Sequence, residues 1–187
     1  MSRKRVLILH GLNGSDFPHW QAHLASDLIK DNYVVSFPLL PNKNSPNLNE
    51  WKEFIKDEIK HFKPQIVVCH SLANILWFHI CEELDISLDK LMLVAPVRNK
   101  ELEEAKSFFP YPVPKNLKSK EAIIAASTND PFMSIEEAIN LQSKLNIGMK
   151  IMENAGHINT SAGFGKLDCA LDWVKREEVC EENSQNI

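Results

Sequence analysis

The sequence predicts an α/β fold: one domain built on a doubly wound, six-stranded parallel sheet. Three observations carry this expectation. Short apolar runs rich in β-branched residues alternate with longer segments of helical periodicity, and parallel strands need connections of that length to pass back over the sheet. The residues best suited to chemistry fall just after strands, at the carboxyl edge where open parallel sheets build their sites. The 187 residues, 44% hydrophobic and 25% charged, suit a single ordinary core. The expected domain spans residues 1–175, and residues 176–187, polar and mostly acidic, are expected to form a frayed tail.

In chain order, Val6-Leu7-Ile8-Leu9 reads as a central strand that breaks at the turn-rich His10 to Ser15. Pro18 suits the first turn of a helix whose Trp20, Leu24 and Leu28 form one stripe. Tyr33 to Phe37 is a second strand, and the proline- and asparagine-rich stretch from Pro38 to Pro46 is its loop. A helix then buries Leu48, Trp51, Ile55, Ile59 and Phe62 and presents Lys52, Lys56, Asp57 and Lys60 to water. Ile66 to Cys69 is the third strand, followed directly by a strongly apolar helix expected to reach about Leu84. Leu91 to Val94 is the fourth. From Pro96 to Lys120 the chain is irregular, and Phe108 to Pro114 is too proline-rich for a central strand, so this segment is expected to fold over the site edge. Ile123 to Ala126 is the fifth strand, and Ser134 with Glu137 makes a capping box for the next helix. Met149 to Met152 is the last strand, and Leu167, Ala170, Leu171 and Val174 mark the last helix.

Composition excludes several function classes. A formal charge of -4 leaves no basic footprint for nucleic acid. The basic N-terminus leads into an apolar run too short for a secretory signal core, and no run reaches the roughly 20 apolar residues of a membrane span. A cytoplasmic location is expected. Cys69, Cys81, Cys169 and Cys180 show no paired metal spacing, so reduced, non-ligating thiols and no metal or other cofactor are expected. The glycines of the first loop, Gly11 and Gly14, do not form a dinucleotide fingerprint.

Ser71 sits where a buried strand becomes a buried helix. There the hydroxyl is exposed at the sheet edge, and free amides at the helix start can hold an oxyanion. The positions two before and two after it, usually glycine in such turns, are the small residues Cys69 and Ala73. A serine becomes nucleophilic only when a base takes its proton, and His157, following Ala155-Gly156 after the last strand, is the candidate. His70 is a sequence-local rival, but adjacent residues on a sharp turn point apart, so it is expected to pack beneath the turn or bond backbone. Asp130 is placed to orient the base, with Glu153, Asp168 and Asp172 as possible substitutes. The amides of Leu72 and Leu12 are the expected oxyanion donors.

The order Ser71, Asp130, His157 on alternating strands resembles the α/β-hydrolase superfamily. More narrowly, Ile8-Leu9-His10-Gly11 with Ser15 and His19-Trp20, then Pro38 to Trp51, Cys69 to Ala73, Asn129-Asp130-Pro131 and Gly156-His157, resemble the small serine hydrolases of the retinoblastoma-binding-protein type and their bacterial relatives. The resemblance runs from about Arg5 to Lys175. It implies a minimal fold lacking the superfamily's first two antiparallel strands, with little or no cap. It also implies Ser71, Asp130 and His157 as a triad and hydrolysis of small acyl esters or related compounds. The competing reading is a slow or inactive hydrolase-fold interaction module, in which Trp20, Trp51 and the Phe108 to Pro114 loop form an exposed apolar surface for a protein partner.

Overall fold

The computed structural model of the chain describes residues 3–100 and 102–176. Six strands, β1 (Arg5–Leu9), β2 (Val34–Ser36), β3 (Ile66–His70), β4 (Leu88–Val94), β5 (Ser119–Ser127) and β6 (Gly148–Met152), pair in the order β2-β1-β3-β4-β5-β6. Every pairing is parallel. The chain leaves β1 towards β2 and returns to β3 on β1's other side, so the order reverses between β1 and β3. Crevices outside the carboxyl ends of strands at such a reversal are where open α/β sheets bind ligands.

Strand alternation divides the core between two faces. Leu7, Leu9, Val67 and Cys69 meet α2 (Leu48–Phe62), α3 (Leu72–Ile80) and α4 (Ile135–Leu145). Val6, Ile8, Ile66 and Val68 meet α1 (Trp20–Lys30) and α5 (Asp168–Lys175). All five residues of β3 are buried, as expected of a strand covered on both faces. The capping box of Ser134 and Glu137 forms as the sequence indicates.

Several boundaries differ from the sequence expectation. Pro18 lies outside α1, because His19 occupies the cap and its Nδ1 accepts from the Gln21 amide. The helix after Ser71 ends at Ile80 and passes into a 3-10 turn, Cys81–Glu83, instead of continuing to Leu84. Strand β4 starts at Leu88, three residues earlier than apolarity suggested, because the buried Lys90 belongs to it. Its ammonium donates to the carbonyls of Trp173 and Arg176 at the carboxyl end of α5 and lies 5.3 Å from the centre of the Trp173 ring. A cation there opposes the exposed negative end of the helix dipole. Arg176, assigned to the frayed tail, is tied down by that bond and by an ion pair with Glu121. The rest of the expected tail, with Cys180, lies outside the described residues. Among those residues, Cys69, Cys81 and Cys169 are free thiols, and no helix is long and apolar enough to cross a membrane.

The exposed apolar surface of the interaction-module reading loses its large aromatic members, while Pro110, Pro112 and Val113 of its loop are exposed. Trp20, Trp51 and Phe108 are fully buried and Tyr111 nearly so, because each faces the sheet or the helices over it and the indoles have backbone partners inside. Trp20 Nε1 donates to Ile158 O at 2.8 Å and Trp51 Nε1 to Pro41 O at 2.7 Å.

Candidate active site

Ser71 joins β3 to α3 with φ 55° and ψ −121°, a conformation that L-residues adopt only when their surroundings impose it. Three bonds impose it here. The Ser71 amide donates to Val94 O at 3.0 Å, while the side chain of Asn74, one turn into α3, donates to Ser71 O at 2.8 Å and Val94 O at 2.9 Å. The turn is thereby fastened to the end of β4. Cys69 and Ala73 are fully buried, so the small size of these residues meets the packing demand on either side of the turn. The tightest approach is elsewhere: a Cβ on Gly11 would lie 2.7 Å from Ser71 Cβ and 3.2 Å from its Oγ. Glycine is needed in the loop after β1, which passes directly over the serine.

The structure brings Ser71, His157 and Asp130 together from the loops after β3, β6 and β5. Ser71 Oγ donates to His157 Nε2 at 2.8 Å. On the far side of the ring, His157 Nδ1 donates to Asp130 Oδ2 at 2.8 Å, with Oδ1 at 3.0 Å. A carboxylate on Nδ1 fixes the tautomer that leaves Nε2 free to accept the hydroxyl proton. The His157 and Asp130 side chains are only 9% and 3% exposed, which keeps water from competing for either bond. Asp130 also accepts from the Phe132 amide at 2.8 Å, and the Phe132 ring stands edge-on to His157 at 4.6 Å. Glu153, the first substitute, instead accepts from Thr128 Oγ1, and Asp168 and Asp172 are exposed on α5.

The loop carrying His157 is clamped at its backbone. His70 Nε2 donates to His157 O at 3.1 Å and Trp20 donates to the next carbonyl, that of Ile158, a buried β-branched residue at φ 47°. His70 is therefore a backbone clamp beneath the turn, not the base. A second network joins this loop to β5: Ser127 Oγ accepts from the Ala155 amide at 2.9 Å, and Asn129 Oδ1 from the Gly156 amide at 2.7 Å. His10 does the same for the oxyanion side, donating from Nδ1 to Gly11 O at 2.7 Å and accepting at Nε2 from the Leu40 amide at 2.9 Å. Burial holds the His10 and His70 pKa values below the ordinary range, that of His70 far below, with His157 adding to the effect on His70. Both are neutral scaffold groups. The bonding roles of Asn74, Ser127 and Asn129 are not legible in the sequence, because an asparagine in a helix and polar residues in a turn are common without such a task; Asn129 stands out there only as part of Asn129-Asp130-Pro131.

A cavity of about 300 Å³ opens over the serine and is lined by Leu12 and Leu72 among others. Helix α3 begins at Leu72, so its first amides have no intrahelical acceptor. That supplies the kind of donor an oxyanion needs. Among the described residues no group of three or more His, Cys, Asp or Glu side chains could hold a metal ion.

Comparison with known proteins agrees with this architecture. The ydeN gene product of B. subtilis is similar in structure, with a TM-score of 0.80 at 22% identity, over 91% of this chain and 96% of that one. A protein from Pectobacterium atrosepticum described as a YdeN-like hydrolase has a TM-score of 0.75 at 24% identity, over 91% and 89% of the two chains. The esterase domain of a Rhodothermus marinus protein has a TM-score of 0.63 at 11% identity, over 92% and 88%. At these identities the likeness is one of fold, that of the α/β hydrolases. No curated protein matches the sequence significantly. The family model described as serine hydrolase matches residues 6–176, nearly everything from the first strand to the end of the last helix, and the chain belongs to that family.

Proposed function

We propose that the protein is a carboxylesterase-like hydrolase of small acyl esters, working through a Ser71 acyl-enzyme. The observation that carries this reading is the unbroken relay from Asp130 through His157 to Ser71, both links at 2.8 Å. Ser71 Oγ attacks the ester carbonyl carbon as His157 Nε2 takes its proton, and the carbonyl oxygen becomes an oxyanion held by the amides of Leu12 and Leu72. The intermediate collapses by breaking the bond to the leaving oxygen, which departs as an alcohol with the proton from His157. Water then attacks the acyl carbon, giving its proton to His157; the bond to Ser71 breaks, the serine recovers that proton, and the acid leaves. Asp130 keeps its negative charge throughout and stabilises the imidazolium.

The cavity volume of about 300 Å³ lies at the small end for ligand sites, and supports short acyl chains. Labelling with a fluorophosphonate tests the nucleophile. The adduct is expected on Ser71, and labelling undiminished in Ser71→Ala refutes the assignment. Nitrophenyl esters test the chain length: the highest kcat/KM is expected for acyl groups of a few carbons, and a maximum at a dozen or more refutes it.

A further inference from the structure

The lining of the cavity combines two chemistries. Leu72 and Val97 are part of the apolar core between the sheet and the α2, α3 and α4 face, and Leu12 and Leu102 pack against it. These make an apolar wall beside the oxyanion donors, where an acyl chain lies. The lining also includes His19, from the loop before α1, and Asn159, Thr160 and Ser161, from the segment running on from His157. A leaving oxygen must sit within reach of His157 Nε2 to take its proton, and these polar residues, linked to His157 by sequence or through the neighbouring ring of His70, are the ones placed to meet the alcohol of the ester.

His19 is the distinctive group there. Its Nδ1 accepts from the Gln21 amide at 3.2 Å to cap α1, which places the ring proton on Nε2. Among the described residues Nε2 has no hydrogen-bond partner, although the residue is only 6% exposed. Its ring lies 5.0 Å from that of His70, which lies 5.2 Å from that of His157. Burial first, then the nearby His157, lowers the His19 pKa to about 4, so near neutral pH the group is an uncharged N–H donor. Among the described residues the cavity has no Asp, Glu, Lys or Arg in its lining. Lys43 beside Gly14 and Asp16 near His19 carry opposite charges and together select no sign.

We propose that His19 is a specificity-determining residue, its Nε2–H reading an oxygen on the alcohol part of the substrate, and that the preferred substrates are uncharged short-chain esters of polyhydroxy alcohols. This rests on the serine-hydrolase reading and specifies the alcohol side of the same site. A neutral hydrogen bond of this kind changes relative kcat/KM by about three- to tenfold. The capping role of His19 sets the choice of variants. Asparagine is a good helix N-cap whose shorter side chain keeps the acceptor for Gln21 but cannot carry a donor as far as Nε2; phenylalanine removes both.

The experiment compares glycerol 1-monobutyrate with propyl butyrate by acid release in a pH-stat, with butyrylcholine and O-butyryl glycolate as cationic and anionic esters. The wild type is expected to favour the glycerol ester over the propyl ester by about fivefold, with both charged esters below the propyl ester. The glycerol-to-propyl ratio is expected to fall at least threefold in His19→Asn and in His19→Phe. Fluorophosphonate labelling of the same samples separates the two levels of the argument. Wild-type labelling at Ser71 with a ratio near one, a ratio unmoved in folded His19→Asn, or a preference for either charged ester overturns the inference and leaves the hydrolase reading standing. Absence of wild-type labelling and turnover overturns both.

Discussion

Replacing Gly11 with alanine probes how tightly the first loop is set over Ser71. The new Cβ would lie 2.7 Å from Ser71 Cβ, 3.1 Å from His70 O and 3.2 Å from Ser71 Oγ. Non-bonded carbons are comfortable at roughly 3.5–4.0 Å, so about 0.8 Å of movement is the minimum the site must find. Neither side yields easily. His10 bridges the Gly11 carbonyl and the Leu40 amide, while Val94 and Asn74 hold the serine backbone. The displacement falls on the serine side chain or on the Leu12 amide, and both belong to the proposed chemistry. A misplacement near 1 Å costs about 100-fold in rate, and overpacking of this kind costs about 1–3 kcal/mol in stability. The assay is the second-order rate constant for fluorophosphonate labelling of Ser71, read beside the denaturant midpoint. Gly148→Ala is the control, because its Cβ would meet nothing closer than 3.4 Å, at Ala122 O. A folded Gly11→Ala protein labelled within about threefold of wild type, a tenth or less of the expected change, refutes the argument that this loop sets the serine.

On the proposed mechanism, Asp130→Asn keeps the bulk but lets the amide donate to His157 Nδ1, favouring the wrong tautomer; esterase turnover should fall by about 10³–10⁴-fold with the fold intact. Near-full turnover in that variant would remove Asp130 from the relay and make Glu153 the next residue to substitute. Lys90→Met removes the buried ammonium that serves the α5 carbonyls, and a loss of roughly 1–3 kcal/mol is expected from urea unfolding; an unchanged midpoint would show that those carbonyls find other donors. Acid should unfold the protein early. His10, His19 and His70 have lowered pKa values when folded, so the unfolded chain takes up their protons first. Their contribution is complete above the unfolded value near 6.5 and is lost as pH falls towards the folded values, about 4 for His19, at up to about 1.4 kcal/mol per pH unit for each. Denaturant midpoints at pH 7.5, 6 and 5 measure this, and equal midpoints would contradict it.

The sequence by itself determined the sheet, its helices and the choice of Ser71, His157 and Asp130, which the structure joins by hydrogen bonds. The β-branched run of β3, apolar on both faces and bounded by turns, reads as a covered strand, and in a parallel sheet the loop after every strand opens at the carboxyl edge, so Ser71, Asp130 and His157 were expected to share one edge. The small residues Cys69 and Ala73 were legible in the same way, because their demand is local packing. Tertiary structure decided what depends on approach between distant segments. It placed the one glycine the serine requires at Gly11, some 60 residues upstream by sequence number, since only the β1–β3 pairing brings that loop across the turn. It made His70 and Trp20 clamps on the His157 loop, carried Lys90 to the end of α5, and buried the aromatic residues that composition alone left free to form a surface. A histidine, an asparagine or a lysine has the same propensities in any of these roles. The role is set by which backbone groups are left without partners nearby, and that is known only when the segments have met.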